Sequence, residues 1–232
     1  MSDIIKKIKS AGHFDVSIAP ATFVAKRVPN VLELAPLVEK CQVQLRGWDF
    51  PHINSREAIV PDRPDSVSQE TDWGHHLEAW RIFQSGQFTD LRALHTDWFA
   101  QYPGGAPKAV AHIESGEILF VEHALFAFAE LFEFAARLSN TVAGDERMTI
   151  DVSVVGLANR RLAIADPMRM DFMGNPRARI AAFPQSFSVS RAELRSDTEK
   201  LAVGASQALF GMFGETIATD VLVDWLSKLK RL

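Results

Sequence analysis

Apolar residues in the N-terminal part of the chain recur at spacings that predict helices and a strand. Residues 3–11 fit a short amphipathic helix, and weak alternation over 14–25 predicts a strand that Pro20 ends or places at a sheet edge. Apolar positions across 31–45 suit one face of a helix. Pro36 implies a kink or a later start in that helix, because proline has no amide hydrogen to donate.

The following region alternates between apolar and polar positions, as strands with one buried face do. Residues 66–72, 77–83 and 87–94 therefore predict an antiparallel meander. Gly86 lies between the last two strands, where a tight hairpin turn needs the positive φ that glycine accepts.

Beyond residue 116 the pattern predicts a long helix followed by strands. Residues 117–138 are strongly apolar at helical spacing, and Ser115 stands where a hydroxyl can cap the first turn. Residues 148–155 and 161–165 predict a strand pair, and a third strand falls within 179–189.

Helices are predicted at the C-terminal end. Ser190 and Glu193 have the spacing of a capping box, so a helix over 191–212 follows, and 216–229 predicts a final helix. Helices and strands are mixed rather than strictly alternating. This order favours an α+β fold in which antiparallel sheet packs on one face against long helices.

The segment 103–107 (PGGAP) is the strongest break in these patterns and the best candidate for a domain boundary. It would separate an N-terminal α+β region with the meander, 1–102, from a C-terminal region of helix, strands and helix, 108–232. One continuous domain is the alternative that the sequence leaves open.

Composition indicates a soluble globular protein. The chain has 232 residues, 47% hydrophobic content and a net charge of −4, so it lacks the basic excess of broad nucleic-acid binders.

Charged residues, Glu130 among them, interrupt the apolar run 118–138. This pattern predicts a buried helix with a polar stripe toward solvent and not a membrane span. The single cysteine, Cys41, excludes an internal disulfide and favours a buried thiol in a reducing cytoplasm.

Short aromatic stretches are the leading candidates for a binding site. In the stretch RGWDFPH, Arg46 suits an anion, Trp48 a stacking wall and His52 an acid or base. In the stretch WRIFQSGQF, Trp80 and Arg81 suit cation–π contacts or base stacking. Ordinary core packing of the rings is the alternative for both stretches, because that is the commoner role of buried aromatic side chains.

A histidine-rich group is the candidate for catalysis. Asp72, His75 and His76 stand close together in the chain. With His52 and Asp97 they would supply acid–base groups or metal ligands. No known ligand spacing occurs among them, and successive strand residues point in opposite directions. Solvated loop histidines are the simpler interpretation.

Positive charge gathers around a loop rich in methionine. Arg160, Arg161, Arg177 and Arg179 flank this loop and suit a phosphate or an acidic partner. The methionines offer an adaptable apolar surface of the kind found at interfaces. An ordinary solvated loop is the alternative.

The stretches 46–53 and 78–88 and the run 126–166 resemble an uncharacterised bacterial region of proteins that carry Schlafen/AlbA-type DNA-binding domains. The resemblance covers roughly residues 31–166, over half of the chain. In those proteins the region lies outside the AlbA-type domain, and no AlbA-type domain is expected within these 232 residues. The resemblance therefore implies a companion or sensing module in a bacterial regulatory or defence setting, and DNA binding is not carried over.

Together these features predict a non-catalytic cytoplasmic module that binds a partner protein or nucleic acid, without a cofactor, a metal or a membrane. The alternative is a small hydrolase or nuclease that depends on a metal or on the histidine and aspartate group. Whether the chain forms a homo-oligomer or a purely structural subunit stays open.

Overall fold

A computed structural model describes residues 1–46, 49–55, 59–102, 104–105, 111–166 and 168–229. Within these ranges the longest helix has 19 residues and the others have 6 to 14. The α-helices are α1 (Asp3–Lys9), α2 (Leu34–Cys41), α3 (Val121–Ser139), α4 (Arg191–Ser196), α5 (Thr198–Gly211) and α6 (Thr219–Leu229). Short 3₁₀ helices cover Val31–Glu33 and His95–Gln101.

The strands build one large sheet and two small ones. They are β1 (His13–Pro20), β2 (Val43–Gln44), β3 (Asp49–Phe50), β4 (Val60–Arg63), β5 (Ser66–Asp72), β6 (Leu77–Phe83), β7 (Phe88–Ala93), β8 (Ile118–Phe120), β9 (Arg147–Val155), β10 (Arg161–Ala163) and β11 (Ala182–Ser190). The large sheet has seven antiparallel strands in the order β11-β9-β1-β7-β6-β5-β4. This arrangement confirms the predicted α+β fold and the meander of β5, β6 and β7.

Helix α3 covers the inner face of the sheet. Alternate residues of β1, such as Phe14, Val16 and Ile18, point toward this helix and are buried. The Phe14 and Phe128 rings meet edge to face at 5.9 Å between centroids. Helices α5 and α6 contact α3 from the other side, so that α3 is almost wholly enclosed. Helix α1 instead packs on the outer face of β5, β6 and β7.

The strand at the N-terminus is central and not peripheral. Strand β1 lies between β7 and β9, and Pro20 is its last residue. The expected edge placement is therefore wrong, whereas the expected end at Pro20 is confirmed. The large sheet and its core draw on residues from both sides of the predicted boundary at 103–107, as one continuous domain would.

The predicted start of the long helix is wrong. Residues 118–120 form β8, and α3 begins only at Val121, with no side-chain cap at Phe120 and therefore none from Ser115. The expected pairing of 148–155 with 161–165 is also wrong. Strand β9 already pairs with β1 and β11 along its two edges, so β10 leaves the sheet and pairs in parallel with β8.

Other local predictions are confirmed. Helix α2 begins at Leu34, so that Pro36 falls in its first turn, where a missing amide costs nothing. Ser190 and Glu193 form the capping box of α4, although the predicted helix divides at Asp197 into α4 and α5. Among the helices described here, none is long and apolar enough to span a membrane.

Candidate ligand pocket

A cavity of about 290 Å³ opens where the end of β7 meets the N-terminal half of α3. The turn between β5 and β6 and the 3₁₀ helix His95–Gln101 close its other sides. The lining residues are Phe14, Arg46, His75, His76, Arg92, Ala93, Leu94, His95, Tyr102, Leu119, His123, Ala124 and Ala127. The cavity thus combines an apolar floor with imidazole, guanidinium and phenol groups.

The local fold explains why these side chains meet. Strand β7 alternates, so Arg92 shares the inner face with the buried Phe88 and Asp90. On α3, His123 and Ala127 stand four residues apart and therefore face the same way, beside Ala124. The small alanine side chains leave the space that forms the cavity.

Two arginines of the cavity wall share one buried carboxylate. Arg46 Nε and Nη2 donate to Glu130 Oε1 and Oε2 at 2.6 and 2.8 Å, and Arg92 Nη1 donates to Oε2 at 2.9 Å. Burial alone would raise the pKa of Glu130, but the two guanidinium groups outweigh it and hold that pKa below its usual value. Glu130 is therefore ionised, and its predicted place in a solvent-facing stripe is wrong because its side chain is buried.

The two guanidinium groups keep unused donors beside the cavity. Arg92 Nη2 is buried without a hydrogen-bond partner among the described residues, and the guanidinium lies 4.5 Å from the centroid of the Phe50 ring. Arg46 is 28% exposed, and its Nη1 bonds to no described residue. No aspartate or glutamate of the described chain lines the cavity. The wall is therefore rich in hydrogen-bond donors and suits an acidic ligand.

Neutral imidazoles form much of the remaining wall. Burial, helped by the neighbouring His75, lowers the pKa of His95 to about 4. Burial, helped by the charge of Arg46, lowers the pKa of His123 to about 3. His95 is consequently a neutral imidazole at neutral pH, and its Nε2 atom lies 2.5 Å from the hydroxyl oxygen of Tyr102, within hydrogen-bond distance. The His75 ring stacks on Tyr102 with 4.2 Å between ring centroids.

Further ionisable groups lie behind the wall. Glu78 accepts the backbone amide of His52 at 3.0 Å and lies 3.0 Å from His76 Nε2. Burial, together with the negative charge of Glu78, raises the pKa of Asp90 well above its usual value. Both Asp90 carboxyl oxygens lack a hydrogen-bond partner among the described residues. Asp90 Oδ2 lies 4.0 Å from Arg92 Nε, and the raised pKa means that this buried carboxyl group loses its proton less readily than an exposed aspartate does.

Residues of both predicted sites reach this cavity. The predicted binding residue Arg46 lines it, as do His75 and His76 of the alternative catalytic group, while His52 and Trp80 are buried behind it. The Trp80 indole donates to the carbonyl of His52 at 2.8 Å, and burial lowers the pKa of the His52 imidazole. These two residues serve as core, in line with the packing alternative. Trp48 lies outside the described residues.

The predicted catalytic aspartates do not join the histidines. Asp97 binds Arg160 through both carboxylate oxygens, at 2.6 and 2.8 Å, and also accepts the amides of Gly12 and Gly116. Asp72 pairs with Lys7 at 2.7 Å on the other side of the sheet. Within the described ranges, no three histidine, cysteine or acidic side chains are arranged to hold a metal ion.

The remaining predicted arginines occupy separate places. Arg160 is buried in its pair with Asp97, and Arg81 lies over the Phe83 ring at 5.9 Å on the outer face of the sheet. Arg161 pairs with Asp171 at 2.5 Å, and Arg177 donates to the carbonyl of Asn159 at 2.6 Å. Arg179 is exposed. The predicted binding residues therefore do not form one surface.

Sequence reasoning missed several cavity residues, namely Arg92, His95, Tyr102 and His123. One signal for Arg92 was present, because Phe88, Asp90 and Arg92 alternate in step along a strand whose inner face is buried. An arginine in that series indicates a buried polar site. The other three residues come together only through the tertiary fold.

No protein-family model matches this chain, and no curated protein or solved structure shows significant similarity to it. The resemblance noted from the sequence motifs therefore stays a prediction.

Proposed function

We propose that this chain is a non-catalytic sensing module that binds a small acidic molecule in the cavity between β7 and α3. The observation that carries this proposal is the buried Arg92 Nη2, which has no hydrogen-bond partner among the described residues. It lies beside a cavity that no described aspartate or glutamate lines. An unmade hydrogen bond at a charged, buried donor costs free energy, and an acidic ligand would recover it.

The histidines favour binding over acid–base catalysis. A general acid or base works best when its pKa lies near the operating pH. The pKa values of His95 and His123, about 4 and about 3, lie far below neutrality. These imidazoles act as neutral hydrogen-bonding groups and ring surfaces for a ligand. A cytoplasmic location suits the chain, since its only cysteine, Cys41, is a buried thiol.

The test is a thermal unfolding series of the full chain with small organic acids and their neutral amides. A ligand that binds only the folded state raises the melting temperature, because it stabilises that state by RT ln(1 + L/Kd), where L is the free ligand concentration. We expect acids to raise the melting temperature and the matched amides to leave it unchanged. A complete set of acids without any shift would overturn the proposal.

A second candidate function is binding of a partner protein at the methionine loop, residues 168–174. Met168, Met170 and Met173 are 91%, 85% and 89% exposed, which is unusual for large apolar side chains. Asp171 ties this loop to Arg161, and the backbone of Arg161 bridges to that of Arg177. An apolar surface therefore lies beside exposed positive charge.

This surface fits an acidic, apolar segment of a protein better than a nucleic acid. Single-stranded nucleic acids are held largely by stacking of bases on exposed aromatic rings. Phe172 is half-buried and packs against the core, and Trp225 is buried beneath the guanidinium of Arg169. The loop therefore offers flexible thioethers and cations but no open ring face among the described residues.

Fluorescence anisotropy with labelled probes tests this second function. We expect a peptide of alternating glutamate and leucine to bind the chain, and Met170→Asp with Arg179→Glu to abolish that binding. The matched control is Arg195→Glu, which makes the same charge change as Arg179→Glu at an exposed position of α4 outside the methionine loop. Tighter binding of an oligothymidine probe than of the peptide would contradict the assignment.

A further inference from the structure

The chemistry of the cavity wall narrows the ligand further, on the basis of the proposed function. We propose that the cavity takes a single-ring aromatic carboxylate, with the carboxylate at Arg92 and Arg46 and the ring among the imidazoles and Tyr102. Three features support this ligand, namely the number of spare hydrogen-bond donors, the aromatic side chains of the wall and the volume of the cavity.

The spare donors match a carboxylate. Glu130 Oε2 accepts one hydrogen bond from Arg46 and one from Arg92, so the two guanidinium groups meet at the same oxygen atom. Each group keeps one terminal nitrogen that bonds to no described residue, Nη1 of Arg46 and Nη2 of Arg92. Two nitrogens serve the two oxygens of a carboxylate. A phosphate has three terminal oxygens and greater charge, and it would leave part of that charge without donors.

The histidine and tyrosine side chains of the cavity wall match an aromatic ring. His75 and Tyr102 stack with 24° between their planes, and His95 lies 5.3 Å from Tyr102 and 5.5 Å from His123 between ring centroids. Because His95 and His123 are neutral, they place no second positive charge around the ligand ring. Rings pack favourably against one another edge to face or with offset stacking.

The size of the space excludes large ligands. A cavity of about 290 Å³ lies at the lower end of the range for small-molecule pockets. Ala124 and Ala127 set the floor, and any larger side chain there would reduce the space. One ring with a carboxylate fits this room, whereas a nucleotide with its base, sugar and phosphates exceeds it.

Isothermal titration calorimetry of the full chain with benzoate, phenyl phosphate, benzamide and acetate tests the assignment. We expect benzoate to bind tightest, and acetate and benzamide to bind at least about tenfold more weakly because each lacks one of the two contacts. Tighter binding of phenyl phosphate than of benzoate would overturn the carboxylate, and equal binding of acetate and benzoate would overturn the ring. Either result leaves the proposed function standing. A panel in which no acid binds would overturn both.

Variants locate the binding in the cavity. Arg92→Met should weaken benzoate binding by about tenfold or more, since it removes a charge-assisted donor. Ala124→Leu should abolish benzoate binding by filling the cavity. Circular dichroism shows whether each variant folds, and if Arg92→Met does not, Ala124→Leu alone tests whether the ligand binds in the cavity. Arg195→Met is the matched control and should bind as the unmodified chain does. Unchanged affinity in a folded Ala124→Leu variant would place the ligand elsewhere and overturn the inference.

Discussion

At the scale of single residues, Glu130 organises the charges around the cavity. Its carboxylate accepts three hydrogen bonds from Arg46 and Arg92 and is fully buried on α3. A buried charge is tolerated when it is paired and hydrogen-bonded, but removal of one partner leaves the others uncompensated. Glu130 therefore serves both stability and the placement of the arginines.

We predict that Glu130→Gln destabilises the fold by about 3–5 kcal/mol, because two guanidinium groups lose their buried counter-charge. The matched control is Glu133→Gln on the same helix, whose exposed pair with Arg137 is worth about 0.5 kcal/mol. Urea unfolding of both variants measures the difference. Equal losses in the two variants would contradict the organising role of Glu130.

Asp90 gives a pH-dependent prediction. Because burial and the charge of Glu78 raise its pKa, the folded chain keeps a proton that the unfolded chain releases above the ordinary carboxyl pKa. Asp90 therefore costs stability as pH rises from the ordinary value to the raised one. We predict that Asp90→Asn stabilises the protein at pH 7, by about 1 kcal/mol, and has no such effect at pH 3. Denaturant titrations at the two pH values measure this, and a destabilised variant at pH 7 would show that the ionised form is needed.

The individual residues of the site were only partly predictable from sequence. Arg46, His75 and His76 stood out because aromatic and charged groups cluster near them in the chain. Glu130 was misassigned because helical spacing shows which residues share a face but not whether another element covers it. Arg46 and Glu130 are 84 positions apart, and no local pattern connects them.

At the scale of elements, turns and caps follow local rules closely. Gly86 has a φ of +86° in the turn between β6 and β7, as the sequence predicted. A Cβ atom there would collide with the carbonyl oxygen of Ala143, which belongs to the loop after α3. The turn therefore needs glycine for its backbone angle and also for this close approach.

We predict that Gly86→Ala destabilises the fold by about 1–3 kcal/mol, from backbone strain and overpacking. Gly204→Ala in α5 is the control, since a Cβ atom there meets nothing within 4 Å and alanine favours helix. That control should gain about 0.5–1 kcal/mol. Thermal unfolding of both variants measures whether each substitution lowers or raises stability. A Gly86→Ala variant as stable as the unmodified chain would contradict this account of the turn.

Elements that depend on distant partners were less predictable. The capping box at Ser190 and the turn at Gly86 are local and were found. The pairing of β10 with β8 was not, because it depends on both edges of β9 being taken by β1 and β11. Which strands pair depends on segments that are distant in the sequence, and the alternation of apolar and polar residues in one segment does not identify its partner.

At the scale of the whole molecule, the cavity exists because the sheet is assembled out of sequence order. Strand β1 inserts between β7 and β9, which brings Phe14 beside Arg92. Helix α3 then lies across these strands and supplies His123 and Glu130. The site is thus a property of the complete fold and of no single segment.

The most direct test of the central claim is nuclear magnetic resonance of the imidazole nitrogens, with ¹⁵N-labelled histidine and added benzoate. Binding in the cavity predicts shifts for its lining histidines, namely His75, His76, His95 and His123, and none for the exposed His112, which does not line it. If the cavity histidines do not shift, or shift no more than His112 does, this cavity is not the ligand site.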